Sequence, residues 1–249
     1  MAGKEKLKIL QAGNVWYAIQ YTPLRGGVSK ENRRMKAEIS SRVREALNFR
    51  ASYQKLWLIL EATFDKNNDL FVSFTYRDDT RPVRKEDADK KFKYFLRLLR
   101  EHRRALGYDT VDVWTTEGYH SDGKLHHHLF INGTGQDYEI IKKLWKKYGD
   151  QVEILPYGCK SSLEHAKYIT KEPREKGRRH VGDRTWRASR NVKRPVPTYE
   201  DVPADTVLTA PPGAFVVSSD RKDNVYGRYQ YIEARLDSRK LNTENSDLR

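Results

Sequence analysis

Three consecutive histidines, His126-His127-His128, follow Glu117 along the chain, and between them lies the dipeptide Asp122-Gly123. Imidazoles and carboxylates bind metals only when one surface presents them together, so the local fold decides whether these residues do chemistry. Residues 111 to 119 and 125 to 132 read as strands, and Asp-Gly between two such runs is a strong hairpin signal. With Asp122 and Gly123 as the central turn residues, Ser121 pairs with Lys124, Tyr119 lies opposite His126, and Glu117 lies opposite His128. Side chains alternate along a strand, so Glu117, His126 and His128 project from one face of the sheet and His127 from the other. Two imidazoles and a carboxylate, with room for water and a phosphate oxygen, suit a divalent metal, Mn2+ or Mg2+, acting as a Lewis acid; zinc would accept the same donors. The competing reading is a half-exposed histidine cluster that binds nothing, and a one-residue slip of register would separate the three side chains.

A second reactive group is Tyr168 in the segment 161 to 172, SSLEHAKYITKE. Ser161-x-x-Glu164 is a capping box that opens a helix, and the helix is expected to end near Pro173. At about 100° per residue, Leu163, Ala166, Ile169 and Thr170 gather on one side, whereas Glu164, Tyr168, Lys171 and Glu172 gather on the other. A tyrosine on the polar side with a lysine one turn away can act as a nucleophile, because the ammonium favours the phenolate and offsets charge on a phosphorane. The alternative is a surface tyrosine beside a solvated lysine.

Other elements must hold these two groups. Residues 15 to 21 can form a strand, 30 to 63 carry helical periodicity, and 70 to 77, LFVSFTYR, is a β-run. From 84 to 106 the positions Phe92, Phe95, Leu96 and Leu99 mark a long amphipathic helix with a basic outer face. Ile141, Leu144, Trp145 and Tyr148 mark another helix, 152 to 155 a strand, 195 to 213 a Pro-rich connection, and Lys222-Asp223-Asn224 a hairpin. Strands paired in hairpins and interrupted by helices predict an α+β fold with a central antiparallel (mixed) sheet and flanking helices.

Composition narrows the partner. The 249 residues carry a formal charge of +14, which points to a polyanion, since each neutralised phosphate releases counterions. There is no long apolar run, so no membrane partner is expected. The single cysteine, Cys159, excludes an internal disulfide framework, and the opening MAGKEKLKIL has no signal-peptide pattern. The expected location is cytoplasmic, in a bacterial host cell.

Taken in order, LFVSFTY with its following Asp78-Asp79, then His126-His127-His128, then Tyr168-Ile-Thr-Lys171-Glu172, resemble the three motifs of the HUH endonucleases, specifically single-tyrosine rolling-circle replication initiators of plasmid and phage type. One departure is His127, where the family places an apolar residue; the hairpin register favours His126 and His128 as ligands. The resemblance spans residues 70 to 172, with a looser likeness in SYQKLWLILEATF and WRASRNVKRP. It implies an HUH/RRM-like fold in which His126, His128 and Glu117 hold the metal. Tyr168 is then the catalytic nucleophile that forms a 5′-phosphotyrosyl link, with Lys171 beside the scissile phosphate and Glu164 or Glu172 available for proton transfer. The implied partner is single-stranded DNA or an extruded origin hairpin. Basic residues of 84 to 106 and 174 to 194 would track its backbone, and aromatics such as Trp186 would stack on bases.

No GxxxxGK[ST] loop occurs in the sequence, so a host helicase and polymerase are expected partners. The expected division is an N-terminal extension over 1 to 66, an endonuclease core over 67 to 195 and a C-terminal extension over 196 to 249. Two alternatives use or discard the same chemistry: a relaxase or single-tyrosine transposase, and a non-enzymatic basic nucleic-acid-binding protein whose histidines hold structural zinc.

Overall fold

The computed structural model describes residues 4–23, 49, 51–118, 123–176, 183–224 and 227–236. The chain forms two compact units, one of residues 1–42 with 194–249 and the other of residues 43–193. Each contains a five-stranded sheet in which every strand pairs antiparallel, and helices accompany the sheet of the second unit, giving the expected α+β class.

In the first unit β1 (Lys4–Ala12) and β2 (Val15–Tyr21) form a hairpin closed by Gly13-Asn14, with Gly13 at φ 56° as such a turn requires. Residues 4 to 12 are thus a strand that the periodicity above does not predict. The sheet order is β8-β1-β2-β10-β9, where β8 is Thr198–Pro203, β9 Phe215–Asn224 and β10 Gly227–Arg235. The predicted hairpin near residue 223 is therefore present, while the Pro-rich connection contains a strand, with Pro203 at its end. Strands from both ends of the chain share this sheet.

The second unit opens with a helix over 51–63, α1; the earlier part of the predicted 30 to 63 helix lies outside the described residues apart from Phe49. Its sheet has the order β6-β3-β5-β4-β7, formed by β3 (Leu70–Thr75), β4 (Asp112–Glu117), β5 (His126–Ile131), β6 (Gln151–Pro156) and the short β7 (Arg187–Ala188). On one face, Val72, Phe74, Trp114, Leu129 and Ile131 pack against Phe92, Phe95, Leu96 and Leu99 of α2 (Lys85–Ala105) and Ile141 and Trp145 of α3 (Asp137–Trp145). On the other face Phe71 and Phe130 meet His165 of α4 (Ser162–Ile169), and Phe64, just past α1, meets Phe130. Burying these side chains is the main force that holds the layers together, at about 25 cal/mol per Å2 of apolar surface.

Two local features depart from the expectation. The β4–β5 register pairs Glu117 with His126 and Thr115 with His128, two residues away from the register of an Asp122-Gly123 two-residue turn, and the strands stop before that turn. The cause is at Gly118, which leaves the ladder at φ 75°; an ideal Cβ there would lie 2.1 Å from the Lys124 carbonyl oxygen. Tyr119, expected opposite His126, lies outside the described residues. The second departure is the helix at 161 to 172, which breaks at Thr170 into α4 and a short α5 (Lys171–Glu175). Pro173 cannot donate to the Ile169 carbonyl four residues back, and one turn earlier the Thr170 hydroxyl bonds back to the Ala166 carbonyl at 2.7 Å.

Candidate active site

Because the register slips by two residues rather than one, every side chain keeps its face. Glu117, His126 and His128 project together from the face of the β3–β5–β4 sheet that α2 and α3 leave to α4. Their ligand atoms lie within 4.8 Å of one another. Glu117 Oε2 is 3.7 Å from His126 Nε2 and 3.6 Å from His128 Nε2. The rings are aimed from behind: His126 Nδ1 donates to the Lys124 carbonyl at 2.8 Å, and Ser73 Oγ lies 3.1 Å from His128 Nδ1. A neutral His126 therefore offers its Nε2 lone pair to the cluster.

The polar bookkeeping of this cluster is incomplete. Glu117 and His128 are buried, and Glu117 Oε1 and His128 Nε2 have no hydrogen-bond partner among the described residues. Orphaned buried acceptors cost on the order of 1–3 kcal/mol each, and a cation between them removes that cost. Burial raises the Glu117 carboxyl, but the two imidazoles outweigh it and hold its pKa at about 2. His126 is raised, burial being overcome by Glu117 and the Lys124 carbonyl. His128 is lowered, chiefly by burial and against the pull of Glu117. An ionised carboxylate beside a neutral buried imidazole is the protonation state that a metal site needs.

His127 is the exception in the triplet and points into the α2 side. Thr116 Oγ1 donates to Asp89 Oδ1 at 2.6 Å and accepts from His127 Nδ1 at 2.9 Å, while Tyr76 OH lies 2.8 Å from His127 Nε2. The ring stacks on Phe92 with centroids 4.2 Å apart. Burial holds its pKa well below the ordinary value. Here a histidine does the packing of an apolar residue and adds two hydrogen bonds that fix the strand between the two candidate ligands.

Tyr168 stands over the cluster. Its ring centroid is 5.3 Å from that of His128, inclined at 65°. α4 is held by the reciprocal capping box of Ser161 and Glu164, by a Ser162 hydroxyl that donates to Glu61 of α1, and by His165 against Phe71 at 4.8 Å. After the break at Thr170, Lys171 Nζ lies 4.5 Å from the centre of the Tyr168 ring. A second ammonium, Lys160 Nζ, lies 4.6 Å from it, carried by the turn that follows η1 (Tyr157–Cys159). Lys160 sits outside every motif noted above, and no signal in the sequence marks it, because only the 3-10 turn folds it back over α4.

The two glutamates have other uses. Glu164 is exposed and engaged in the capping box. Glu172 is buried, not on the solvent side, and its Oε2 accepts from Gly118 N–H at 2.8 Å, which ties α5 to the end of the strand that carries Glu117. Trp186 is half-buried and donates to Ser52 Oγ at 3.2 Å. α2, with its basic outer face, packs on the opposite face of the sheet from Tyr168, and among the described residues Lys160 and Lys171 place their ammonium groups over the Tyr168 ring. No described helix is long and apolar enough to cross a membrane.

No curated protein and no solved structure matches the chain. Residues 69–180, the stretch from the start of β3 through the histidine strand to just past α5, match the family model of the Replication-associated protein ORF2, which makes the segment that holds this cluster and Tyr168 similar to proteins of DNA replication.

Proposed function

We propose that this protein is a rolling-circle replication initiator of the HUH type, which nicks single-stranded DNA at an origin and rejoins it through Tyr168. One observation carries the reading: a tyrosine ring 5.3 Å from one of three clustered metal-type ligands and within 4.6 Å of two ammonium groups, inside the segment similar to replication-associated proteins. Glu117, His126 and His128 would hold Mn2+ or Mg2+, which supplies Lewis-acid polarisation of a phosphate oxygen.

The chain's own residues do the rest. The Tyr168 phenolic oxygen attacks phosphorus and loses its proton to solvent. The bond from phosphorus to the 3′ oxygen breaks, and that oxygen takes up a proton, leaving a 5′-phosphotyrosyl link and a free 3′-OH that can prime synthesis. One phosphodiester replaces another, so attack by a DNA 3′-OH reverses the step without ATP. Lys160 and Lys171 offset the charge of the pentacoordinate phosphorus. Unwinding and polymerisation fall to a host helicase and polymerase.

Rejoining separates this activity from hydrolysis. Two oligonucleotides that share the nick sequence but differ in their flanks are incubated with protein and Mn2+. The reading predicts hybrid strands in which the 5′ portion of one is joined to the 3′ portion of the other. Cut fragments without hybrids would remove strand transfer from the account.

A further inference from the structure

The sheet of the first unit has two unlike faces. On one, Trp16, Ala18 and Ala234 are buried beneath Leu208, Ala210 and Ala214, which lie between β8 and β9. On the other, Leu10, Ala12 and Val15 are buried at one end, and the rows beyond them carry tyrosine and lysine in register. One row across the five strands reads Asp201, Lys6, Tyr21, Tyr229, Lys222, and the next reads Tyr199, Lys8, Ile19, Tyr231, Asp220. Directly paired residues share a face, and rows two residues apart share it too.

Tyr199, Tyr229 and Lys222 are exposed, and Tyr21, Tyr231, Lys6 and Lys8 are half-buried. Tyr199 is 57% and Tyr229 37% exposed, and the Tyr229 and Tyr231 rings lie 6.3 Å apart. Lys6 and Lys222 stand at the two ends of the Tyr21–Tyr229 pair. Their present partners, Asp201 at 2.6 Å and Asp220 at 3.4 Å, form surface ion pairs between side chains that are at least two-fifths exposed. Such pairs contribute little and exchange readily for a phosphate. Neighbouring strands are about 4.8 Å apart, so the two lysines of this row are separated by roughly 14 Å, the span of two or three nucleotides.

We infer that the tyrosine face of the β8-β1-β2-β10-β9 sheet is a binding platform for single-stranded DNA, with Tyr21 and Tyr229 stacking on bases and Lys6, Lys8 and Lys222 meeting phosphates. Aromatic rings on an open sheet recognise unpaired bases because every base presents a π-face, whereas a duplex hides them. A protein ligand would use the apolar content of this face rather than its rows of lysine and tyrosine. The platform belongs to the first unit, and its occupation does not require the Tyr168 centre to cut.

The test uses the full chain and a fluorescein-labelled single-stranded oligothymidylate, read by anisotropy, with heparin as a polyanion without bases. Tyr21→Ala/Tyr229→Ala should weaken oligothymidylate binding about tenfold or more while heparin binding stays within about twofold, and Tyr21→Phe/Tyr229→Phe should bind like wild type. An equal loss for both ligands, or no loss for either, overturns the platform. Wild-type protein gives a check that does not depend on variant folding: irradiation with a 5-iodouracil oligonucleotide should cross-link peptides containing Tyr21 or Tyr229, and cross-links confined to residues 43–193 would contradict the inference. His126→Ala/His128→Ala should cross-link normally at the platform whether or not the Tyr168 centre cuts DNA, so failure of either proposal is visible without the other.

Discussion

The Tyr168 ring and the His128 ring meet at 65° with centroids 5.3 Å apart. This contact joins two elements that are distant in sequence, the histidine strand β5 and the capped helix α4, at the one place where both must be accurate. Three separate anchors maintain it: the Ser161–Glu164 cap, His165 against Phe71, and Glu172 on the Gly118 amide. On the proposed reading, preorganisation of this kind sets Tyr168 beside the candidate metal ligands before any substrate arrives.

Removing either lysine beside the tyrosine should slow attack without unfolding the protein. Lys160→Gln and Lys171→Gln are each expected to lower the rate of adduct formation about tenfold, because the pentacoordinate phosphorus loses a neighbouring cation. Single-turnover rate measurements on each variant check this. A Lys160→Gln variant with the wild-type rate would remove Lys160 from the account and leave Lys171 in it.

Glu172 distinguishes a positioning role from a proton-transfer role. Its carboxylate accepts from Gly118 N–H. Glu172→Gln keeps an acceptor and should retain most adduct formation, whereas Glu172→Ala leaves the amide bare and is expected to cost about 1–3 kcal/mol of stability. Thermal melts and adduct assays on both variants give the answer; a stable but inactive Gln variant would assign Glu172 to proton transfer instead.

Acid should destabilise the metal-free protein through its buried histidines. His127, His128 and His165 are all held below the ordinary value, burial being the largest cause for each. Below pH about 6.5 the unfolded chain binds protons that the folded chain refuses, so stability falls as pH falls, by up to about 1.4 kcal/mol per pH unit for each such histidine. His126, raised by Glu117, acts in the opposite direction. Urea unfolding with chelator from neutral pH down to about 5 should show this slope, and His127→Leu should reduce it by about one proton; an unchanged slope would mean that His127 takes up a proton in the folded state.

Much of the site is legible in the sequence because its determinants are local. The alternation of β5 puts His126 and His128 on one face whatever the turn, and an even slip of register leaves Glu117 with them. The turn itself is not legible, because Asp122-Gly123 is a strong hairpin signal while the backbone leaves the ladder earlier, at Gly118. The capping box locates α4, but the break at Thr170 emerges only when the consequence of Pro173, four residues beyond Ile169, is followed back. Glu172 departs from its expected side for that reason: a continuous helix would put it on the solvent side. Lys160 and the pairing of β1 with β8 are not legible, since both depend on segments far apart or irregular in backbone. The strand at 4 to 12 is readable in principle, from Gly13-Asn14 followed by an alternating run.

The central claim is that Tyr168 becomes covalently joined to DNA with the help of a metal at Glu117, His126 and His128. Purified protein, Mn2+ and single-stranded DNA carrying the origin of its own replicon are incubated and resolved on a denaturing gel, with Tyr168→Phe and His126→Ala/His128→Ala alongside. The account predicts a protein–DNA adduct from the wild type only, abolished by chelator and mapping to the Tyr168 peptide. An adduct that survives Tyr168→Phe, or none from wild type that binds the same DNA, would contradict it.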